Sequence, residues 1–252
     1  MTDYFLVSPP QLDASRWTPF LNRESYLHGY FAYLQKARTK NIPVSDSNLK
    51  RLRFFALAGW CQAISGRKLQ HVAECGCFLG HSTYMLAHIL NVSGFENTLH
   101  VFDSFEGLSD FTSEDLTPIT YDVSNEDLYN LSPQSKPNER RPFAGSVEVF
   151  DYLLSDFQFV KHYKGWIPTR FNEVANLTFS FVNLDLDIYE PTLDALSFFY
   201  PRVESGGVIW FDDYGFNTWP GCTKAVDEFR TQLSPRDLLM KNPFGGLVII
   251  KG

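Results

Sequence analysis

His71-Val72-Ala73-Glu74-Cys75-Gly76-Cys77-Phe78-Leu79-Gly80-His81-Ser82-Thr83 is the stretch on which the fold turns. Its first five residues read as a short buried strand and Gly76 to Gly80 as a glycine turn. A helix follows, with Met85, Leu86, Ile89 and Leu90 in its buried stripe and Ser82 or Thr83 as its cap. A second apolar run, Thr98 to Phe102, ends at Asp103 and completes a strand, turn, helix, strand unit of the βαβ kind. The fold class is therefore α/β, with a mainly parallel sheet and helices on both faces.

Working outward, strands are expected at Phe157 to Tyr163, Phe179 to Leu184, Val208 to Phe211 and Gly246 to Ile250. Helices alternate with them, one carrying Leu193, Leu196, Phe199 and Tyr200 inward and another running from Gly221 to Arg230. On the N-terminal side, Leu49, Leu52, Phe54, Phe55 and Leu57 recur at close to helical spacing, and Ser45-Asp46-Ser47 offers a cap just before them. Residues 1–65 thus read as a helical N-terminal cap, and residues 66–252 as the main domain. Between 108 and 142 the pattern fades into prolines and polar residues, which predicts a mobile lid.

The 252 residues carry a net charge of −7, which argues against nucleic acid as a partner, because replacing phosphate counterions takes a basic stripe. A small molecule is the better expectation, and a homo-oligomer is compatible with the same features. The N-terminus has neither a basic leader nor a continuous apolar stretch, and no run reaches bilayer-spanning length, so a cytoplasmic protein without a membrane partner is expected. Cys61, Cys75, Cys77 and Cys222 are too few and scattered for a disulfide framework, and the Cys75-x-Cys77 pair lacks the further ligands of a zinc site.

Acids stand at four strand ends: Glu74, Asp103, Asp185 with Asp187, and Asp212 with Asp213. One Asp after a strand usually just begins a turn, but parallel sheets bind ligands beyond these ends, and six acids there point to a site. Residues two apart on a strand face the same way, so Asp185 and Asp187 are expected to aim together at the place where Asp212 and Asp213 converge. Gly76 and Gly80 let backbone approach a ligand, while the G-x-G-x-x-G dinucleotide fingerprint is missing. Asp103 is placed to accept both hydroxyls of a ribose. A nucleoside cofactor without a pyrophosphate satisfies both observations, and a nicotinamide oxidoreductase does not.

The runs Val72 to Thr83 and Phe102-Asp103-Ser104-Phe105-Glu106-Gly107-Leu108 resemble the first two cofactor motifs of the macrocin O-methyltransferase family. Lys164-Gly165-Trp166-Ile167-Pro168, Asn183 to Thr192 and Gly206 to Gly215 are similar to its later motifs, in the same order. The resemblance implies a Rossmann-like class I methyltransferase that uses S-adenosylmethionine and Mg²⁺ to methylate a hydroxyl, commonly a sugar's, on a natural product. It implies that Glu74, Gly76, Gly80 and Ser82 line the amino-acid end of the cofactor and Asp103 its ribose, with Ser104 also binding the cofactor. By the same resemblance Asp185, Asp212 and Asp213 are the metal ligands and Asp187 the catalytic base. The family commonly has a second glycine where this chain has His81, which reads either as a solvent-facing helix start or as a substrate contact. His88, His100 and His162 are read as structural.

A hard cation suits carboxylate oxygens, and a hydroxyl needs help to lose its proton, so metal and base make chemical sense together. The alternatives are a phenol or catechol acceptor, or a non-catalytic module that binds S-adenosylmethionine. The intact carboxylate set speaks against the module, which has no use for a base.

Overall fold

A computed structural model describes residues 28–119, 143–242 and 244–252. The seven strands are β1 His71–Cys75, β2 Leu99–Asp103, β3 Val160–Lys164, β4 Phe179–Leu184, β5 Val203–Phe211, β6 Leu238–Lys241 and β7 Leu247–Ile250. They form one sheet in the order β3-β2-β1-β4-β5-β7-β6, in which β3 to β5 pair in parallel and β7 runs antiparallel to both neighbours. The helices are α1 His28–Thr39, α2 Asn48–Ile64, α3 His81–Val92, the short α4 Ser113–Leu116, α5 Val147–Leu154, α6 Tyr189–Phe199 and α7 Pro220–Phe229.

Alternation along the strands splits the core in two. Val72, Val101, Phe181, Val208 and Trp210 face a cluster with Tyr30, Leu52, Leu86 and Phe150, so α1, α2, α3 and α5 cover that side. Their neighbours Ala73, Phe102, Val182, Ile209 and Phe211 face Leu196 and Phe199 of α6 and Val226 and Phe229 of α7. Each such large apolar side chain contributes roughly 1.5–3 kcal/mol of burial free energy, which makes the sheet a stiff frame for its loops. The chain steps from β1 outward to β2 and β3 and then crosses back to β4 on the other side of β1. That reversal leaves a crevice beyond the ends of β1 and β4.

Several expectations are corrected. Strand β6 has no counterpart in the sequence reading, and its alternating exposure marks a sheet edge. The cap of α3 is Gly80 itself, at φ 78°, whereas Ser82 and Thr83 lie buried inside the first turn. Ser47 does cap α2, accepting a hydrogen bond from Lys50 N. Strand β5 starts at Val203, because Gly206-Gly207 continues the strand instead of ending the preceding helix region. Part of the expected lid is pinned: Lys224 Nζ donates to the carbonyls of Glu114 and Thr117, both at 2.7 Å, and Tyr189 N donates to Asp115 Oδ1, also at 2.7 Å. The remainder of the lid, 120–142, and the first 27 residues of the cap lie outside the described residues.

Candidate active site

The sheet ladder continues one residue past its strands and lines up the acids. Gly76 N donates to Phe102 O at 2.9 Å, Asp185 N to Cys75 O at 2.9 Å, and Asp212 N to Leu184 O at 3.1 Å. Gly76 packs so tightly against the next loop that a Cβ on it would sit 1.8 Å from Asp185 O. A cavity of about 800 Å³ opens over these loops, walled by Gly76, Ser82, Asp103 and Ser104 on one flank and by Asp185, Asp187, Asp212 and Asp213 on the other. Small-molecule sites span about 300–1,000 Å³, and this cavity lies in the upper part of that range.

On the first flank, Asp103 organises its own surroundings. Its Oδ2 accepts from Cys77 N at 2.7 Å and Phe78 N at 3.0 Å, and its Oδ1 from Phe105 N at 2.7 Å. Phe78 and Phe105 both sit at positive φ, 51° and 58°, and these bonds hold the two turns. Ser104 Oγ donates to Gly107 O at 2.9 Å and accepts from Glu106 N at 3.0 Å, closing the second turn. Glu74 and Gly80 stand one layer behind the wall. Glu74 is fully buried, where it accepts from Thr83 Oγ1 and, at 2.8 Å, from Asn183 Nδ2, tying β1 to α3 and β4. Gly80 abuts Phe150 and Leu154 of α5.

Burial pushes the Glu74 carboxyl up from 4.5 to about 7, against the pull of its Thr83, Ser82 and Asn183 bonds. The folded protein therefore holds this proton more tightly than the unfolded chain, and stability falls as pH rises from about 4.5 to about 7. At about 1.4 kcal/mol per tenfold in proton affinity, the charged form costs on the order of 3 kcal/mol. Glu74→Gln removes the charge while its amide oxygen still accepts from Asn183 and its amide nitrogen faces hydroxyls that can turn to accept. Thermal melts at pH 8 are expected to show it at least as stable as the parent, with the gap closing towards pH 4.5; a clearly lower melting temperature at pH 8 would refute the cost assigned to Glu74.

On the opposite flank, one carboxylate oxygen from each of Asp185, Asp212 and Asp213 lies within 4.8 Å of the others. Asp187 is not in that group. The strand ends at Leu184 and Asp187 takes φ 63°, so the expected strand-like alignment of Asp185 with Asp187 is corrected: a left-handed turn, not the two-residue repeat, brings Asp187 back to the site. Its backbone N–H donates to Asp213 Oδ2 at 3.2 Å. Burial, then repulsion among the carboxylates, raises Asp185 and Asp187 well above the usual range and Asp213 to about 6.

One cap cation reaches this cluster unannounced, and a second lines the same cavity. Arg53 of α2 bonds both carboxylate oxygens of Asp212 and, at 3.3 Å, Asp213 Oδ1. Lys50, one turn earlier on the same face, is brought down to about 8 by burial, against the pull of Asp185 and Asp212. The sequence leaves only a faint trace of them: Lys50-Arg51-Leu52-Arg53 sets basic residues beside the apolar stripe of a helix. His81 is not a solvent-facing helix start, and it lines the cavity. It is buried, its ring stacked on Tyr33 with centroids 4.1 Å apart and tilted on Tyr30 at 4.3 Å, while Nε2 meets Tyr30 O at 3.2 Å. Burial, with Lys50 nearby, keeps it neutral. In place of a glycine, the chain uses this imidazole to fasten the cap to α3. His88, His100 and His162 instead pair with His28, with Tyr163 and His71, and with Asp151, and none reaches the cavity.

The family model for Macrocin-O-methyltransferase matches residues 50–241, which take in every one of these site residues. The chain belongs to the macrocin O-methyltransferase family. It is 29% identical over 224 residues, 87% of this chain and 82% of the relative, to demethyldecarbamoylnovobiocin O-methyltransferase of Streptomyces niveus. It is 30% identical over 163 residues, 63% of this chain and 59% of the relative, to mycinamicin III 3''-O-methyltransferase of Micromonospora griseorubida. In fold it is similar to the O-methyltransferase NovP, with a TM-score of 0.65 at 22% identity over 95% of this chain and 99% of that one. This macrocin-type methyltransferase is thus an S-adenosylmethionine-dependent enzyme that methylates a hydroxyl of a small molecule. Among the described residues, no helix is long and apolar enough to cross a membrane.

Proposed function

We propose that this enzyme methylates a sugar hydroxyl on a glycosylated natural product in the cytoplasm, with a divalent cation, Mg²⁺ by preference, held by Asp185, Asp212 and Asp213 and with Asp187 as base. The observation that carries the reading is the all-oxygen triad on the wall of a cavity of small-molecule size. Three carboxylates and no sulfur or imidazole donor fit a hard cation that keeps room for water and substrate oxygens. When bound, such a cation supplies charge that makes an acceptor hydroxyl easier to deprotonate. Asp187, next to the triad but outside it, keeps its carboxylate for the proton. Gly76, Ser82, Asp103 and Ser104 form the cofactor flank, with Glu74 and Gly80 supporting it from behind. Holding methyl donor and hydroxyl in line contributes more than the base does, since positioning removes roughly 7–11 kcal/mol of barrier.

Sugar acceptors are favoured by the relatives: one is a 3''-O-methyltransferase of mycinamicin III, and another, 26% identical over 160 residues from Streptomyces olivaceus, is named for a rhamnosyl tetracenomycin. The test is a panel of glycosides, free phenols and catechols incubated with methyl-labelled cofactor and read by mass spectrometry. Label on a sugar oxygen is expected. Label confined to phenolic oxygens would move the acceptor class, and no transfer to any member would defeat the reading.

A further inference from the structure

The triad is not a vacant set of anions. Arg53 reaches down from α2 and takes Asp212 side-on: Nε donates to Oδ1 at 3.2 Å, Nη2 to Oδ2, and Nη2 again to the Asp212 carbonyl at 2.8 Å. The same Nη2 lies 3.3 Å from Asp213 Oδ1, and the guanidinium rests over the Phe216 ring at 5.0 Å. Asp213 Oδ2 already accepts from Asp187 N, so all four carboxylate oxygens of Asp212 and Asp213 have a donor. A side chain only about a fifth exposed, in a fork geometry that matches a carboxylate, is a poised cation and not a passing surface contact.

We propose that Arg53 is a built-in counter-cation that holds the carboxylate site together in the metal-free protein and competes with the divalent ion for Asp212 and Asp213. The inference rests on the metal reading above. Its physical basis is simple. Clustered buried carboxylates need a positive charge to coexist, and the guanidinium supplies one. Once a divalent ion arrives, guanidinium and ion contend for the same oxygen lone pairs and repel each other at close range. Arg53 must then let go of Asp212 at least in part. The cost of that release lowers metal affinity, so the protein keeps its shape without metal and binds it reversibly.

The experiment is Mn²⁺ binding to the chelator-stripped protein, followed by electron paramagnetic resonance of free Mn²⁺, for the parent, Arg53→Met, Arg53→Lys and Asp212→Asn. Circular dichroism and cofactor binding confirm that each is folded. Arg53→Met is expected to bind Mn²⁺ at least tenfold more tightly than the parent, Arg53→Lys in between, and Asp212→Asn more weakly. Melting in chelator is expected to place Arg53→Met below the parent, with a larger rise on adding Mg²⁺. If the parent binds Mn²⁺ and Arg53→Met binds it equally or less well, the competition is refuted while the metal reading stands, and Arg53 only orients Asp212. If neither parent nor Arg53→Met binds Mn²⁺, the metal reading falls and takes the inference with it. Should Arg53→Met not fold, Arg53→Lys decides: binding no tighter than the parent's refutes the competition.

Discussion

Asp187→Asn is expected to lower the turnover rate by about 10²- to 10⁴-fold, the range that a positioned general base is worth, with little change in metal affinity. The structure makes this substitution clean. Asp187 sits at φ 63°, where Asn is as comfortable as Asp, and the bond it makes to Asp213 comes from its backbone N–H, which the change leaves in place. Asp212→Asn acts in the other direction, raising the metal concentration needed for activity, because Asp212 is in the triad and Asp187 is not. Steady-state kinetics at varied Mg²⁺ separate the two. If Asp187→Asn chiefly shifts the metal requirement and leaves saturated turnover intact, ligand and base have been exchanged.

Gly76→Ala is expected to be among the most damaging single changes in the chain. Two costs add: the residue sits at φ 82°, a conformation that costs an L-residue about 1–2 kcal/mol, and its new Cβ would overlap the Asp185 carbonyl. Backbone meets backbone there, so no rotamer relieves it, and the loops that begin at Gly76 and at Asp185 must separate. A loss of about 4 kcal/mol or more would lower the melting temperature of a domain this size by roughly 8–16 °C. Cofactor binding should be lost even below that temperature. Gly59→Ala is the control: in mid-α2 a Cβ meets nothing within 4 Å, and the change should stabilise by roughly 0.5–1 kcal/mol. Calorimetric melts of both variants check the pair; a Gly76→Ala protein that melts with the parent and binds cofactor would show the close approach to be unimportant.

The sheet was legible where strands are continuously buried, as in β1 and β4, and helices where apolar spacing repeats, as in α3 and α7. Strand β6 escaped because Leu238–Lys241 is four residues long and half exposed, which leaves little pattern to read. Among site residues, the acids could be read because they punctuate strand ends. The route by which Asp187 returns could not, since a left-handed turn leaves no periodic trace. Arg53 and Lys50 were hidden for a different reason. Their meaning lies in packing between the cap and the loop after β5, 159 positions apart for Arg53 and Asp212, and a basic residue in a helix is ordinarily solvated. The turn-holding work of Asp103 was likewise invisible: both of its oxygens accept backbone N–H bonds, so either Asn or Ala at this position disturbs the two turns as well as any ribose contact.

Metal-assisted deprotonation is tested most directly by methyl transfer from labelled S-adenosylmethionine to an accepted glycoside after exhaustive chelation, with cofactor binding measured by calorimetry on the same sample. The account predicts that turnover is lost, that the cofactor still binds, and that Mg²⁺ restores the rate. Full-rate transfer by the stripped enzyme would contradict it.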